Sequence, residues 1–147
     1  MANAIIQDGV IVGTTATATD FTTEINDELV KYHMGKDLVV AMKDHLIEYT
    51  TTLFEAEIAL LNEGYPSSEK GTFAVQQTEW AAWNADNTAS TPFVDALATA
   101  RGMTKADLMA KIGTNVTAIA TAVGNKQSRV DAINACTTYD ALVALEL

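Results

Sequence analysis

At 147 residues, 48% of them apolar and only 7% aromatic, the chain has the length of one ordinary domain and enough hydrophobic side chain for a buried core. Its formal net charge of −10 repels phosphate backbones and anionic lipid, so neither nucleic acid nor a membrane surface is an expected partner. No run of roughly 18 apolar residues could span a bilayer, the start at Met1 lacks the basic flank and long apolar run of a secretory signal, and a lone Cys136 forms no internal disulfide. These features lead one to expect a soluble protein made in the cytoplasm.

The first elements are β-prone. Asp8-Gly9 separates the apolar runs Ile5-Ile6 and Val10-Ile11-Val12, and Asp-Gly suits a two-residue type I′ hairpin because it tolerates positive φ. A lone hairpin is marginal in water, so its arms must dock on this subunit or on a neighbour. The stretch Thr14 to Thr19 alternates Thr and Ala without a helical period and reads as an extended linker. From Asp20 to Thr23, short polar side chains followed by Glu24, Asp27 and Glu28 predict the start of a helix that ends near Gly35.

The best-patterned segment runs from about Asp37 to Asn62. Val39, Met42, Leu46, Tyr49, Leu53, Ala56 and Leu60 recur with alternating steps of three and four, which satisfies the a/d rule of a coiled-coil seam. A second stripe, Val40, Ile47, Phe54, Ile58 and Leu61, lies about 100° round the same helix. Lys43, Thr50 and Glu57 run between the stripes, and His45, Glu48, Thr52, Glu55 and Asn62 are expected to face water. Two stripes imply either two packing partners, one of them the same helix of another subunit, or one broad face buried inside a monomer. Under the first reading Val39, Met42, Leu46, Tyr49, Leu53 and Leu60 are the interface.

Pro66 to Gly71 is rich in turn residues and is the expected boundary between halves. Beyond it Phe73, Gln77, Trp80 and Trp83 form a short helical pattern. Thr91-Pro92 supplies a cap and a first-turn proline, and Gly102 ends that helix. Thr104 and Asp107 resemble a capping box with Asp in place of Glu, opening a helix with Leu108, Ile112, Val116, Ile119 and Val123 inside. Gly113 weakens that helix by about 1 kcal/mol, and Gly124-Asn125 is a site where it could bend or break. Thr137 to Asp140 caps a short last helix reaching Leu145. The expected fold is therefore mainly α, a helical bundle with a long central helix and a compact C-terminal multi-helix module, plus a short N-terminal β-hairpin or extended arm. Its segments are an arm and linker over 1–19, a helical segment over 20–65, and the module over 72–147.

Chemistry is hard to find. Glu24 with Glu28, Asp44 with Glu48, and Glu55 nearby share helical faces, but acid–base work needs a pocket that shifts pKa values. His33 and His45 have no second His or Cys at ligand spacing, and zinc needs three or four ligands. No glycine-rich loop leads to Lys-Ser or Lys-Thr, so no nucleotide or other cofactor is expected. Cys136 lacks a histidine or cationic cluster in sequence to activate it. Trp80 and Trp83, one turn apart, suit the joint between the halves better than a ligand platform, and Arg101 complements the negative end of its helix. Lys126 and Arg129 read as ordinary surface charges.

The runs Glu79-Trp80-Ala81-Ala82-Trp83, Thr91-Pro92-Phe93-Val94-Asp95-Ala96 with Ala100-Arg101-Gly102, and Lys111-Ile112 with Asn115 resemble a helical module of tailed-bacteriophage structural proteins. Gly124-Asn125-Lys126-Gln127 with Asp131-Ala132-Ile133 and Ala135, and the closing Thr137-Thr138-Tyr139-Asp140, continue the likeness. It covers roughly Phe73 to Leu147. Such modules occur in tail-fibre, baseplate or tail-assembly proteins, so the resemblance implies a non-enzymatic virion role, partners among copies of itself or other tail proteins, and a homo-oligomer. The alternative is a cytoplasmic assembly chaperone or small adaptor that is absent from the finished particle.

Overall fold

The computed structural model describes residues 2–7, 10–15, 22–25 and 35–145. Within them the protein is mainly α-helical, with three strands, β1 (Ala2–Gln7), β2 (Val10–Thr15) and β3 (Thr22–Ile25). The helices are α1 (Leu38–Leu61), α2 (Ser67–Lys70), α3 (Phe73–Ala85), α4 (Pro92–Arg101), α5 (Lys105–Ala135) and α6 (Tyr139–Val143).

The strands form one antiparallel sheet in the order β2-β1-β3. Gln7 pairs with Val10, as a two-residue hairpin requires, and the expected type I′ connection at Asp8-Gly9 lies outside the described residues. The register slips between Ile5 and Ile6, because Ile5 faces Gly13 while Ile6 faces Ile11. That bulge leaves Val12 over and twists the strand locally. Thr14 and Thr15, read as linker, belong to β2.

The strand β3 corrects the helix start expected at Asp20 to Thr23. Its residues Thr22, Thr23 and Ile25 are β-branched and fit a pleated surface better than a helical turn, and the free edge of β1 supplies the hydrogen bonds. The remainder of that expected helix, 26–34, lies outside the described residues, as does His33.

Contacts divide the chain into two compact units, Met1–Leu53 with Lys126–Leu147, and Phe54–Asn125. The units cut across the segments expected at 20–65 and 72–147, since α1 and α5 each contribute to both.

In the first unit the sheet is tied to the start of α1. The Ile11 amide donates to the Lys36 carbonyl at 3.0 Å, and Gly35, at φ 81°, donates to the Ile11 carbonyl at 2.8 Å. Ile11 is thereby fully buried against Leu38 and Ala41, with Met42 and Tyr139 alongside, so β2 docks on its own chain. Asp37 caps α1 through one carboxylate oxygen, which accepts from the Val39 and Val40 amides at 2.9 and 3.2 Å. A second cluster joins Leu46 to Ile133 and Leu142, flanked by Val39, Met42, Ile47 and Cys136. Lys43 Nζ donates to the Asn134 carbonyl at 2.8 Å, a cation at the C-terminal end of α5 where the helix dipole favours it. Thr138 accepts from the Ala141 amide and caps α6.

In the second unit Val94, Ala98, Leu108, Met109 and Ile112 form the core, with Trp80 and Trp83 packed on it. The two indoles therefore belong to this unit's own core and not to a joint between halves. Thr91 stands before α4, but its hydroxyl makes no cap and is buried without a partner. The cap comes instead from α3: the Glu79 carboxylate accepts from the Phe93 and Val94 amides at 3.0 and 2.8 Å. Gly102, at φ 64°, ends α4 as expected, with its own amide reaching Thr99 and the Met103 amide reaching Ala98 in a Schellman arrangement.

Thr104 Oγ1 accepts from the Asp107 amide, the first half of a capping box. The shorter Asp then accepts from the Thr104 hydroxyl at 2.6 Å, where a Glu would reach back to the backbone. Helix α5 runs through Gly124-Asn125 without interruption.

Candidate functional site

The seam foreseen on α1 is split by the fold. Its first part, Val39, Met42 and Leu46, is built into the first unit's core. The rest lies open: Tyr49 is 45%, Leu53 39% and Leu60 70% exposed, and Ala56 between them is exposed too. Val40, from the second stripe, is also exposed, whereas Ile47, Phe54, Ile58 and Leu61 are half-buried.

The most buried position of this helix beyond Leu46 is Thr50, which sits between the stripes. Its position has a geometrical reason. Two stripes about 100° apart flank a common centre, which is turned inward at Thr50 but not at Glu57, which is exposed. Thr50 Oγ1 is buried without a hydrogen-bond partner among the described residues. Of the positions expected in water, Glu48, Thr52 and Glu55 are exposed, while His45 and Asn62 are half-buried, Asn62 donating to the Ile58 carbonyl.

The second unit carries a cleft of about 450 Å³, within the size range of ligand pockets. Four residues of α5, Leu108, Ile112, Val116 and Ile119, line it at steps of four, four and three, so they fall on one face of that helix. Tyr65 and Phe73 contribute rings in an edge-to-face pair, centroids 5.2 Å apart. They are brought together by the turn after Gly64, at φ 83°, and by the short α2.

Polar groups line the same cleft: Gln76 and Gln77 on α3, Asn115 on α5, the cations Arg101 and Lys111, and Glu69. Gln76 is held in place by a relay. Its Nε2 donates to Thr72 Oγ1 at 2.8 Å, and that hydroxyl donates to the Glu69 carbonyl at 2.7 Å. Lys105 at the start of α5 pairs with Asp95 at 3.1 Å. Arg101 and Lys111, by contrast, make no ion pair or hydrogen bond through their side chains among the described residues.

Sequence reasoning gave Arg101 only a helix-end role and did not connect Tyr65, Gln76 or Lys111 with any site. The step-of-four pattern of α5 was visible, but it does not tell an inward face from the wall of a cleft.

The cleft lacks the pairing that acid–base or nucleophilic chemistry uses. No side-chain hydrogen bond links Tyr65, Glu69, Lys111 and Thr114 to one another among the described residues. Among the described residues two groups have displaced protonation, Asp86 and Tyr139, neither of which lines the cleft. The Thr88 amide, then its hydroxyl, hold the Asp86 carboxyl below its ordinary range. Burial, and then the neighbouring Asp140 charge, push the Tyr139 phenol up. Asp44 is tied to Lys36 in an exposed ion pair at 2.9 Å. Cys136 is half-buried, its thiol directed to the Ala132 carbonyl. Among the described residues no group of three or more His, Cys, Asp or Glu could hold a metal ion, and no helix is long and apolar enough to cross a membrane.

Comparison with models of known protein families, with curated proteins and with solved structures finds no match for this chain.

Proposed function

We propose that the chain is a non-enzymatic structural protein of a tailed-phage virion, a component of the tail, baseplate or tail fibre that works by assembling with copies of itself and with neighbouring tail proteins. The phage setting rests on the resemblance over Phe73 to Leu147. The observation that carries the assembly reading is the open part of the α1 seam, Tyr49, Leu53 and Leu60. Isolated exposed apolar residues are ordinary. Tyr49, Leu53 and Leu60, with the exposed Ala56, recur at steps of four, three and four along one helix, a pattern that a partner helix covers.

Association would come from burying those side chains, at about 25 cal/mol per Å² of apolar area before the costs of association are subtracted.

Light scattering on the full chain tests the assembly reading. The wild type gives a mass above that of one chain, and Leu53→Asp with Leu60→Asp returns it to one chain while far-UV circular dichroism keeps its helical signal. A single-chain mass for the wild type at all concentrations sinks self-association. Mass spectrometry of purified particles tests the virion assignment. The protein is present in them under this reading, and its absence from mature particles would assign it to assembly as a chaperone or adaptor.

A further inference from the structure

We infer that the cleft of the second unit receives an acidic stretch of a partner polypeptide, with one bulky apolar side chain inserted between the α5 face and the Tyr65–Phe73 pair. The volume of about 450 Å³ suits such a side chain and the backbone that carries it.

The first argument is charge. The chain is strongly acidic, with 19 Asp and Glu against 9 Lys and Arg. Yet two of its cations, Arg101 and Lys111, line this one cleft and are matched to no carboxylate among the described residues. Elsewhere Lys36 and Lys105 have carboxylate partners, at 2.9 and 3.1 Å, and Lys43 is held by the Asn134 carbonyl, while Lys70 and Arg129 make no ion pair among the described residues. An unmatched guanidinium and ammonium beside an apolar wall favour a carboxylate from outside, and the guanidinium fork can hold it with two parallel hydrogen bonds. Glu69 is the one carboxylate of the lining. It sets a polarity, favouring the ligand's N–H groups on its side and its acid near the cations.

The second argument is the kind of polar group. Gln76, Gln77 and Asn115 each offer a donor and an acceptor, the complement of a peptide backbone. Gln76 is about nine-tenths buried, and only its Nε2 end is engaged, by Thr72. Its carbonyl oxygen makes no hydrogen bond among the described residues and is open to solvent, so a partner's N–H can take the place of water there.

This site is separate from the α1 stripe, and its test is independent of self-association. The full chain is titrated, with fluorescence anisotropy as readout, into labelled decapeptides in which Leu, Ile or Phe alternates with Asp or Glu. A matched series carries Lys in place of the acids. Members of the acidic series bind saturably and the basic series does not. Arg101→Glu and Lys111→Glu each weaken binding at least tenfold, with Arg101→Gln giving a smaller loss, and all three keep the wild-type circular dichroism and solution mass. Leu53→Asp leaves peptide binding unchanged. The inference is overturned if no acidic peptide binds, if the basic series binds equally, or if Arg101→Glu binds like the wild type. Displacement of the peptide by inorganic phosphate at matched ionic strength would also overturn it, since the cleft would then be an anion pocket only.

Discussion

At the scale of single residues, the two glycines inside α5 show how the same residue type serves different ends. A Cβ built on Gly113 would lie 2.7 Å from Trp80 Nε1, closer than real contacts allow, and a tight 3.2 Å from Cε2, whereas one on Gly124 meets nothing within 4 Å. Alanine gains about 1 kcal/mol over glycine in a helix interior, while forcing an extra methyl into a packed core costs about 1–3 kcal/mol. At Gly124 only the gain operates, so Gly124→Ala should raise stability by up to about 1 kcal/mol. At Gly113 the indole, packed against the second unit's core, must shift, so Gly113→Ala should be neutral or destabilising by up to about 2 kcal/mol. Urea-unfolding midpoints of the two variants check this, and equal stabilisation by both would disprove the close approach. Sequence alone marked both glycines as weak points of the helix. What it lacked was the neighbour, because nothing in the spacing of Trp80 and Gly113 announces that they touch. The cap of α4 was hidden in the same way: Thr91 has the right residue type in the right place, yet a carboxylate from α3 does the work.

At the scale of elements, what could be read was periodicity, and what could not was the identity of the surface covering each face. The bounds of α1 follow from Asp37 and from the stripe that ends near Asn62, and the helix agrees with them. The stripe does not reveal that Leu46 meets Ile133 and Leu142, residues from the far end of the chain, while Leu60 meets solvent. The two leucines should therefore respond differently to the same truncation. Leu46, only 8% exposed, leaves a cavity when replaced by alanine, so Leu46→Ala should cost about 2–5 kcal/mol. Leu60→Ala, at 70% exposure, should change stability by no more than about 0.5 kcal/mol. Both are measured by urea denaturation at a protein concentration low enough to keep the chain dissociated; a large loss at Leu60 under those conditions would place it inside the subunit and remove it from the proposed interface. The failure at β3 has the same root. Asp20 to Thr23 carries cap-like side chains, but Thr and Ile are equally good strand residues, and the free edge of β1 decided between them.

At the scale of the whole molecule, the charge of −10 sets the two proposed contacts against each other. Neither the compact units nor the cleft could be read from composition, since both are assembled from separated stretches: the first unit joins the two ends of the chain, and the cleft draws on residues from Tyr65 to Ala120. Net charge, however, is legible at once and has a consequence for each contact. Two copies meeting through Tyr49, Leu53 and Leu60 gain by burying apolar surface but repel as polyanions. Added salt shortens the screening length from about 30 Å at 0.01 M to about 8 Å at 0.15 M, which relieves the repulsion and leaves the apolar gain intact. Self-association should therefore strengthen over that range. An acidic peptide at Arg101 and Lys111 is held partly by attraction to those two cations, and the same screening weakens its hold there while also relaxing its repulsion from the rest of the chain. Under the proposed docking the attraction to those two cations outweighs that repulsion, so peptide affinity should fall as salt rises. Light scattering and fluorescence anisotropy in one NaCl series give both slopes, expected to be opposite in sign. A homo-oligomer that dissociates as salt rises would mean that ion pairs, and not the exposed stripe of α1, hold the copies together.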